Sequence, residues 1–376
     1  MAGQLIPKGK NKWLVRIYLG TDAEGKRSYF SKTINGTKKE AQAYLNKLLL
    51  QKDTGTFIQP TKIFVKDLLN QWLNTAVKQR VRGNTFQSYN YMVNKYIEPY
   101  LGKYKLSQLT PALIQEFYAK LLETGISSRT IRYAHTLLKN ALEQAIEWDM
   151  LNKNPANKVT LPRQQKQEMK VLSPIEVEKF INALTYNKWK ALFSLLLVSG
   201  MRPSEALGLK WEDVNFDNNR ITICRNLTRL QHGWSLEEPK TRQSRRTIPI
   251  PAGTMSDLKE HQENQLEQIK KAKTYNNQSF VFASGNGEPL NERNLVKRHF
   301  KPILEKEGFP DIRLYDLRHT CATLLLSQGV NPKIVSERLG HASTTLTMDV
   351  YSHVLPDMQK EAADKLQDII FGNTEQ

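Results

Sequence analysis

A chain of 376 residues is longer than one ordinary domain, so two or three separately cored domains are expected. Fifty-five Lys and Arg against 37 Asp and Glu give a formal net charge of +18, which points to a polyanionic partner. Cys224 and Cys321, both inside apolar patterns, speak against a disulfide scaffold or a cysteine-based metal site, and no apolar run of membrane-spanning length or signal-peptide core is present, so a reducing cytoplasm is the expected compartment.

The charge is unevenly spread. Residues 1 to 59 carry 11 basic and 4 acidic side chains and residues 60 to 167 carry 16 and 7, whereas residues 168 to 376 carry 28 and 26. The first two parts therefore read as electrostatic clamps and the third as the chemical part. Residues 12–19 (KWLVRIYL) and 27–34 (RSYFSKTI) alternate apolar or aromatic with basic or polar positions about a TDAEGK turn, predicting a small sheet. Thr37 is placed to cap the helix TKKEAQAYLNKLLLQ, whose Ala41, Tyr44, Leu45 and Leu48 form a stripe able to cover that sheet. The uncovered face then presents Lys12, Arg16 or Arg27 with Tyr18 or Tyr29, either as a charged edge or as strands for a DNA groove.

From Thr61 to about Asn157 the pattern is helical: FVKDLLNQWLNTA, TFQSYNYMVNKYIEPYL, PALIQEFYAKLLETG and SSRTIRYAHTLLKNALEQAIEWDML are separated by Gly, Pro or Ser. A bundle of four helices, five at most, follows. Arg80, Arg82, Thr85, Tyr89, Lys95, Arg129, Arg132 and Lys139 are interleaved with aromatics, as a phosphate-gripping surface would be, while Tyr96, Phe117 and Trp148 suit the core. Asn154-Pro155 closes the bundle, and LPRQQKQEMK is polar without periodicity, the mark of a linker. The expected parts are thus 1–59, 60–160, a linker at 161–170, and 171–376.

The third part opens with Ser173-Pro174 capping IEVEKFINAL, followed by the apolar helix WKALFSLLLVSG. Pro203 suits the first position of a new short helix, which puts Arg202 at its positive N-terminal end, a place for an anion. RITICR reads as a strand and GWSLEEPKTRQSRRTIPI as a hairpin with Lys240 near its turn, before helices at 254–271 and 291–306. The fold class is α+β and multidomain: a small three-stranded sheet plus helix, a helical bundle, then a mostly α domain with a small antiparallel sheet. Residues 313–351 hold three short helices: Asp316 caps the first and Gly329 ends it, Asn331-Pro332 starts the second and Gly340 ends it, and Ser343 caps the third. They gather Arg318, His319, His341 and Tyr351, an arginine fork, imidazoles and a phenol.

Each candidate has a plain alternative. Arg202 alone suits a helix-end ion pair with Glu205, Lys240 beside Arg242, Arg245 and Arg246 suits a solvated charge, and Tyr351 could be half-buried at a helix end. Order along the chain weighs against the plain readings: Arg202, Lys240, Tyr315-x-x-Arg318-His319, Leu339-Gly340-His341, then Tyr351 and His353. In SGMRPSEALGLKWEDV, the PKT turn with RTIPI, DLRHTCATLLLSQG and LGHASTTLTMDVYSHV, over residues 170–356, the chain resembles the tyrosine recombinase family of phage and conjugative-element integrases.

The resemblance implies a site-specific recombinase that cuts and rejoins DNA through a 3′-phosphotyrosine, integrating and excising a prophage or mobile element. Arg202 and Arg318 match the arginines that hold the scissile phosphate, Lys240 the general acid, His341 a further phosphate donor and Tyr351 the nucleophile. Glu205 matches an orienting carboxylate, and His353 stands near the nucleophile in support. Tyr315 departs from the commoner His, which leaves it a phosphate contact, because a phenol is a poor base near neutral pH. By position, 1–59 looks like an arm-site DNA-binding domain and 60–160 like a core-site one. Candidate DNA contacts are Lys12, Arg16, Arg27, Arg80, Arg82, Tyr89, Arg129, Arg132, Lys139 and Arg242. No cofactor or metal is implied. The implied partners are double-stranded DNA, a homo-tetramer assembled on it, and an excisionase or DNA-bending protein, in a bacterial cytoplasm at the nucleoid. A type IB topoisomerase, or an inactive DNA-binding regulator of the same fold, is the alternative.

Overall fold

A computed structural model of the chain describes residues 3–21, 25–54, 57, 62–164, 169–230, 233–239, 242–309 and 311–351, with 363, 364, 366, 367, 369, 370 and 372. It divides into two compact units, 1–166 and 167–376.

The first unit holds two separate apolar cores. Strands β1 (Gly3–Gly9), β2 (Lys12–Thr21) and β3 (Arg27–Asn35) form an antiparallel sheet in that order. Alternation sends Val15 and Ile17 of β2 into the core with Ala41, Leu45 and Leu48 of helix α1 (Lys38–Asp53). Thr37 caps α1 in a reciprocal box with Glu40. The other sheet face pairs Arg16 with Gln4 and Ser31, and Tyr18 with Tyr29.

The bundle is built from α2 (Val65–Trp72), α3 (Gly83–Met92) with its short continuation α4 (Glu98–Leu101), α5 (Pro111–Glu123) and α6 (Ser128–Glu147). Wide five-residue turns at Leu73–Val77 and Val93–Ile97 extend α2 and join α3 to α4. Thr110 and Ser127 cap α5 and α6. Ile131, Leu138, Leu142 and Ala145 of α6 meet Leu68, Leu69, Phe117 and Leu121 in one core.

In the second unit, Ser173 caps α7 (Pro174–Ala183), and α8 (Lys190–Ser199) runs through the core, buried on nearly every side. Helix α9 (Pro203–Leu207) is followed by β4 (Val214–Asn215), β5 (Arg220–Ile223), β6 (Asn226–Arg229), β7 (Trp234–Glu237) and β8 (Arg246–Pro249). The expected hairpin over 233–250 does not form: β7 pairs with β6, and β8 pairs with β5 in the order β4-β5-β8. The reason is apolar matching, since Ile248 of β8 lies opposite Ile221 and both are buried, and Pro239 cannot donate to a ladder. Then come α10 (Ala252–Lys271), α11 (Glu292–Leu295), α12 (Lys301–Lys306), α13 (Asp316–Ser327), α14 (Pro332–Leu339) and α15 (Thr344–Tyr351). The α+β, multidomain reading holds, with two small sheets in the second unit where one was expected. No helix among the described residues is long and apolar enough to cross a membrane.

Candidate active site

The site is assembled where α8 stops. Gly200 ends α8 at φ +65°, and a Cβ there would lie 2.6 Å from Leu339 Cδ2 and 3.3 Å from Cys321 Sγ, so α13 and α14 press directly on this turn. Two residues on, Arg202 precedes α9, and Glu205 folds back to accept its backbone N–H at 2.9 Å and its Nη1 at 2.7 Å. Both the ion pair and the helix-end placement expected for Arg202 are present.

Glu205 is fully buried, and a second guanidinium, that of Arg246 on β8, reaches both of its oxygens at 3.0 and 3.3 Å. Burial raises the Glu205 carboxyl, but Arg246 and then Arg202 outweigh it and hold the group below the ordinary carboxylate range. The sequence reading names Arg246 only as a neighbour of Lys240 and gives it no role. Alternation carried the missed signal, because Arg246 stands two residues before buried Ile248 and so faces inward.

Arg318 is among the most buried side chains of the protein. It lies in the first turn of α13, where its Nη1 donates to the Gly200 carbonyl at 2.7 Å and its buried Nη2 has no partner among the described residues. Burial and then the nearby Arg202 lower its pKa to about 10, which leaves it charged at neutral pH. Asp316 does not cap α13 in the usual way: it is the first helical residue, and its carboxylate accepts the Arg313 backbone N–H at 2.7 Å and the Arg313 guanidinium. Tyr315, partly exposed, lies edge-on to His319, whose pKa burial lowers.

Asn331 and Pro332 start α14 and Gly340 stops it at φ +68°. The Gly340 N–H bonds the Glu337 carbonyl and the His341 N–H bonds the Ser336 carbonyl, which throws His341 out of the helix at a defined angle. Its Nδ1 lies 2.7 Å from Oγ1 of Thr347, buried on α15, which Ser343 caps as expected. Burial, then Arg318, Arg202 and Arg246, push the His341 pKa down to about 4, so the imidazole is neutral at pH 7. The mutual influence of Arg202, Glu205, Arg318, Arg246 and His341 places them in one cluster. Tyr351 is the last residue of α15, with its side chain outside the described set, as are Lys240, His353 and the side chain of Arg242.

In the first unit, Arg16 lies over the Tyr29 ring at 3.9 Å, its buried Nε has no partner among the described residues, and a cleft of about 350 Å³ is lined by Gly3, Gln4, Arg16, Tyr18, Arg27 and Tyr29. Lys12, Arg80, Arg82 and Arg129 are exposed. Tyr89 stacks on Trp72 and meets Tyr133, so it serves the bundle. Arg132 Nε donates to the Pro162 carbonyl, which fastens the segment after the bundle, and Lys139 is half-buried on the same helix.

Residues 170–358 match the phage integrase family, and 64–122 match the phage integrase N-terminal SAM-like domain. A tyrosine recombinase XerC-like protein of Caldanaerobacter subterraneus subsp. tengcongensis is 32% identical over 387 residues, covering 97% of this chain and 98% of that one. Among solved structures, a Tn1549 transposon integrase in complex with transposon right end DNA aligns at TM-score 0.71 and 25% identity, over 81% of this chain and 99% of that one. A lambda integrase tetramer bound to a Holliday junction shares the fold at TM-score 0.59 and 16% identity, over 92% of this chain and 94% of that one. With a family match across half its length and a relative similar from end to end, the chain belongs to the phage integrase family of tyrosine recombinases.

Proposed function

We propose that the cluster binds one scissile phosphodiester and that Tyr351 attacks it, displacing the deoxyribose 5′-oxygen to leave a 3′-phosphotyrosyl link. A 5′-hydroxyl of the partner duplex then attacks that link, so phosphate-bond energy is conserved through exchange. The observation that carries the reading is the buried Nη2 of Arg318, without a partner among the described residues, charged and adjacent to Arg202 and His341. A buried guanidinium N–H without an acceptor is unfavourable, and a phosphoryl oxygen would supply the acceptor. Arg202 and Arg318 hold the non-bridging oxygens. His341 adds a third donor through Nε2, provided that the Thr347 hydroxyl donates to Nδ1 and fixes that tautomer. Lys240 protonates the leaving oxygen, Tyr315 contacts the phosphate, Glu205 orients Arg202, and His353 supports the nucleophile.

Residues 171–376 serve as the catalytic domain, joined through 161–170 to a core-site DNA-binding domain at 60–160, and 1–59 bind arm sites. Arg16 and Arg27 around the open sheet cleft support the last assignment. Strand exchange between two duplexes needs four active sites, hence a homo-tetramer on DNA, and an excisionase or bending protein would set direction. The substrate is the attachment site of a mobile element, in a bacterial cytoplasm at the nucleoid.

A nicked suicide duplex tests the chemistry. Wild type is expected to trap a covalent protein–DNA adduct and Tyr351→Phe none. No wild-type adduct, or an undiminished adduct with Tyr351→Phe, refutes the reading, and relaxation of supercoiled plasmid without site preference would turn it toward a topoisomerase.

A further inference from the structure

The proposed chemistry leaves one buried cation without a task. Arg246 opens β8, and its side chain is 7% exposed. Its Nη1 and Nη2 reach both oxygens of Glu205, Nη1 also donates to the Ser244 carbonyl at 3.0 Å, and Nε donates to the Arg338 carbonyl at 2.6 Å. The contact is returned from α14, because Arg338 Nη2 donates to the Val198 carbonyl at 2.8 Å and the Pro249 carbonyl at 3.2 Å. Gly340 lies against the same guanidinium: a Cβ there would come 2.7 Å from Arg246 Nη1.

One side chain thus touches the carboxylate that holds Arg202 and the turn that carries His341. The planar fork suits both jobs, since it spans a carboxylate and a carbonyl at fixed angles as a flexible ammonium cannot. Burying an ion pair is a poor way to gain stability alone, because desolvation offsets most of the attraction. We infer that Arg246 is a positioning residue, setting Arg202 and His341 at a fixed separation by holding Glu205 and the Arg338–Gly340 turn on one guanidinium. The inference rests on the reading of Arg202 and His341 as phosphate-holding groups.

The test is single-turnover cleavage of the suicide duplex at saturating protein, with duplex Kd and thermal melting measured in parallel, for wild type, Arg246→Lys and Arg246→Met. Small misplacements of phosphate donors act on the transition state, so the cleavage rate is expected to fall about 100-fold in Arg246→Met and less in Arg246→Lys, with Kd within about threefold. Combining Arg246→Met with Glu205→Gln should be no slower than Glu205→Gln alone, since both act through one carboxylate. Cleavage within about threefold of wild type, or a loss mirrored in Kd, overturns the inference. So does failure of both variants to melt cooperatively, which would make Arg246 a stability residue. A wild type that forms no adduct instead refutes the phosphotyrosine reading, and that arm needs no Arg246 variant.

Discussion

Arg318 Nη1 donates to the carbonyl oxygen of Gly200 at 2.7 Å, so the guanidinium is aimed by the backbone turn that ends α8, and buried Nη2, without a partner among the described residues, is left for a ligand. Arg318→Lys keeps a charge but cannot hold both the carbonyl and a phosphoryl oxygen. Adduct formation should fall by about two orders of magnitude, the usual effect of removing one donor aimed at developing charge. An Arg318→Lys protein that traps adduct at the wild-type rate would count against the assignment.

Thr347 anchors His341 through Oγ1 and Nδ1 at 2.7 Å. Thr347→Val removes the hydroxyl at similar volume, leaving the imidazole free to turn or change tautomer. Cleavage should slow about tenfold or more, as with other groups that orient a reactive histidine, and Thr347→Ser should recover most of it. Equal rates for Val and Ser would show that the contact is idle.

Stability should fall as pH drops from 7 toward 4. In the unfolded chain His341 takes a proton near pH 6.5, whereas in the fold it resists until about pH 4, so over that window the unfolded state binds more protons and gains. The half-open setting limits this to an effect on the order of 2 kcal/mol. His319 is shifted in the same direction, and Glu205 adds loss only below its ordinary carboxylate range. Urea midpoints at pH 7.5 and pH 5 check the sign, and His341→Gln should flatten the dependence.

Gly340 combines φ +68° with the Arg246 guanidinium in the space a side chain would fill. Gly340→Ala should destabilise by about 1–3 kcal/mol, from left-handed strain plus displacement of a buried ion pair. A shift in the denaturant midpoint with unchanged slope is the expected observation. Arg246→Lys should lessen that penalty by leaving more room.

Arg16 and Arg27 border the open cleft of the N-terminal sheet. If that face meets DNA phosphates, the Arg16→Gln, Arg27→Gln double variant should reduce the slope of log K against log salt by about 2 on a duplex with arm sites. The slope on a duplex with only the core site should not change. Equal changes on both duplexes would place the contact elsewhere.

The helices were largely legible because their ends are written locally: Thr37, Ser127, Ser173, Asn331-Pro332 and Gly340 stop or start helices by their own backbone chemistry. The strand partners were not. β7 and β8 follow one another like a hairpin, yet they join different sheets, because Ile248 finds its apolar partner in Ile221 some 27 residues back. Arg246 went unassigned for a related reason: nothing local separates it from Arg242 and Arg245, and only packing against Glu205 and Gly340 makes it interior.

By itself, then, the sequence determined the α+β class, the excess positive charge of its first 167 residues, and the order Arg202, Lys240, Arg318, His341, Tyr351 that marks the family. Only the tertiary structure decided that Glu205 lies between two guanidiniums, that Arg318 spends one nitrogen on Gly200 and leaves another open, and that His341 is neutral and held by Thr347. Caps and periodicity act within a few residues, whereas burial and electrostatic strength depend on which distant groups share a low-dielectric space.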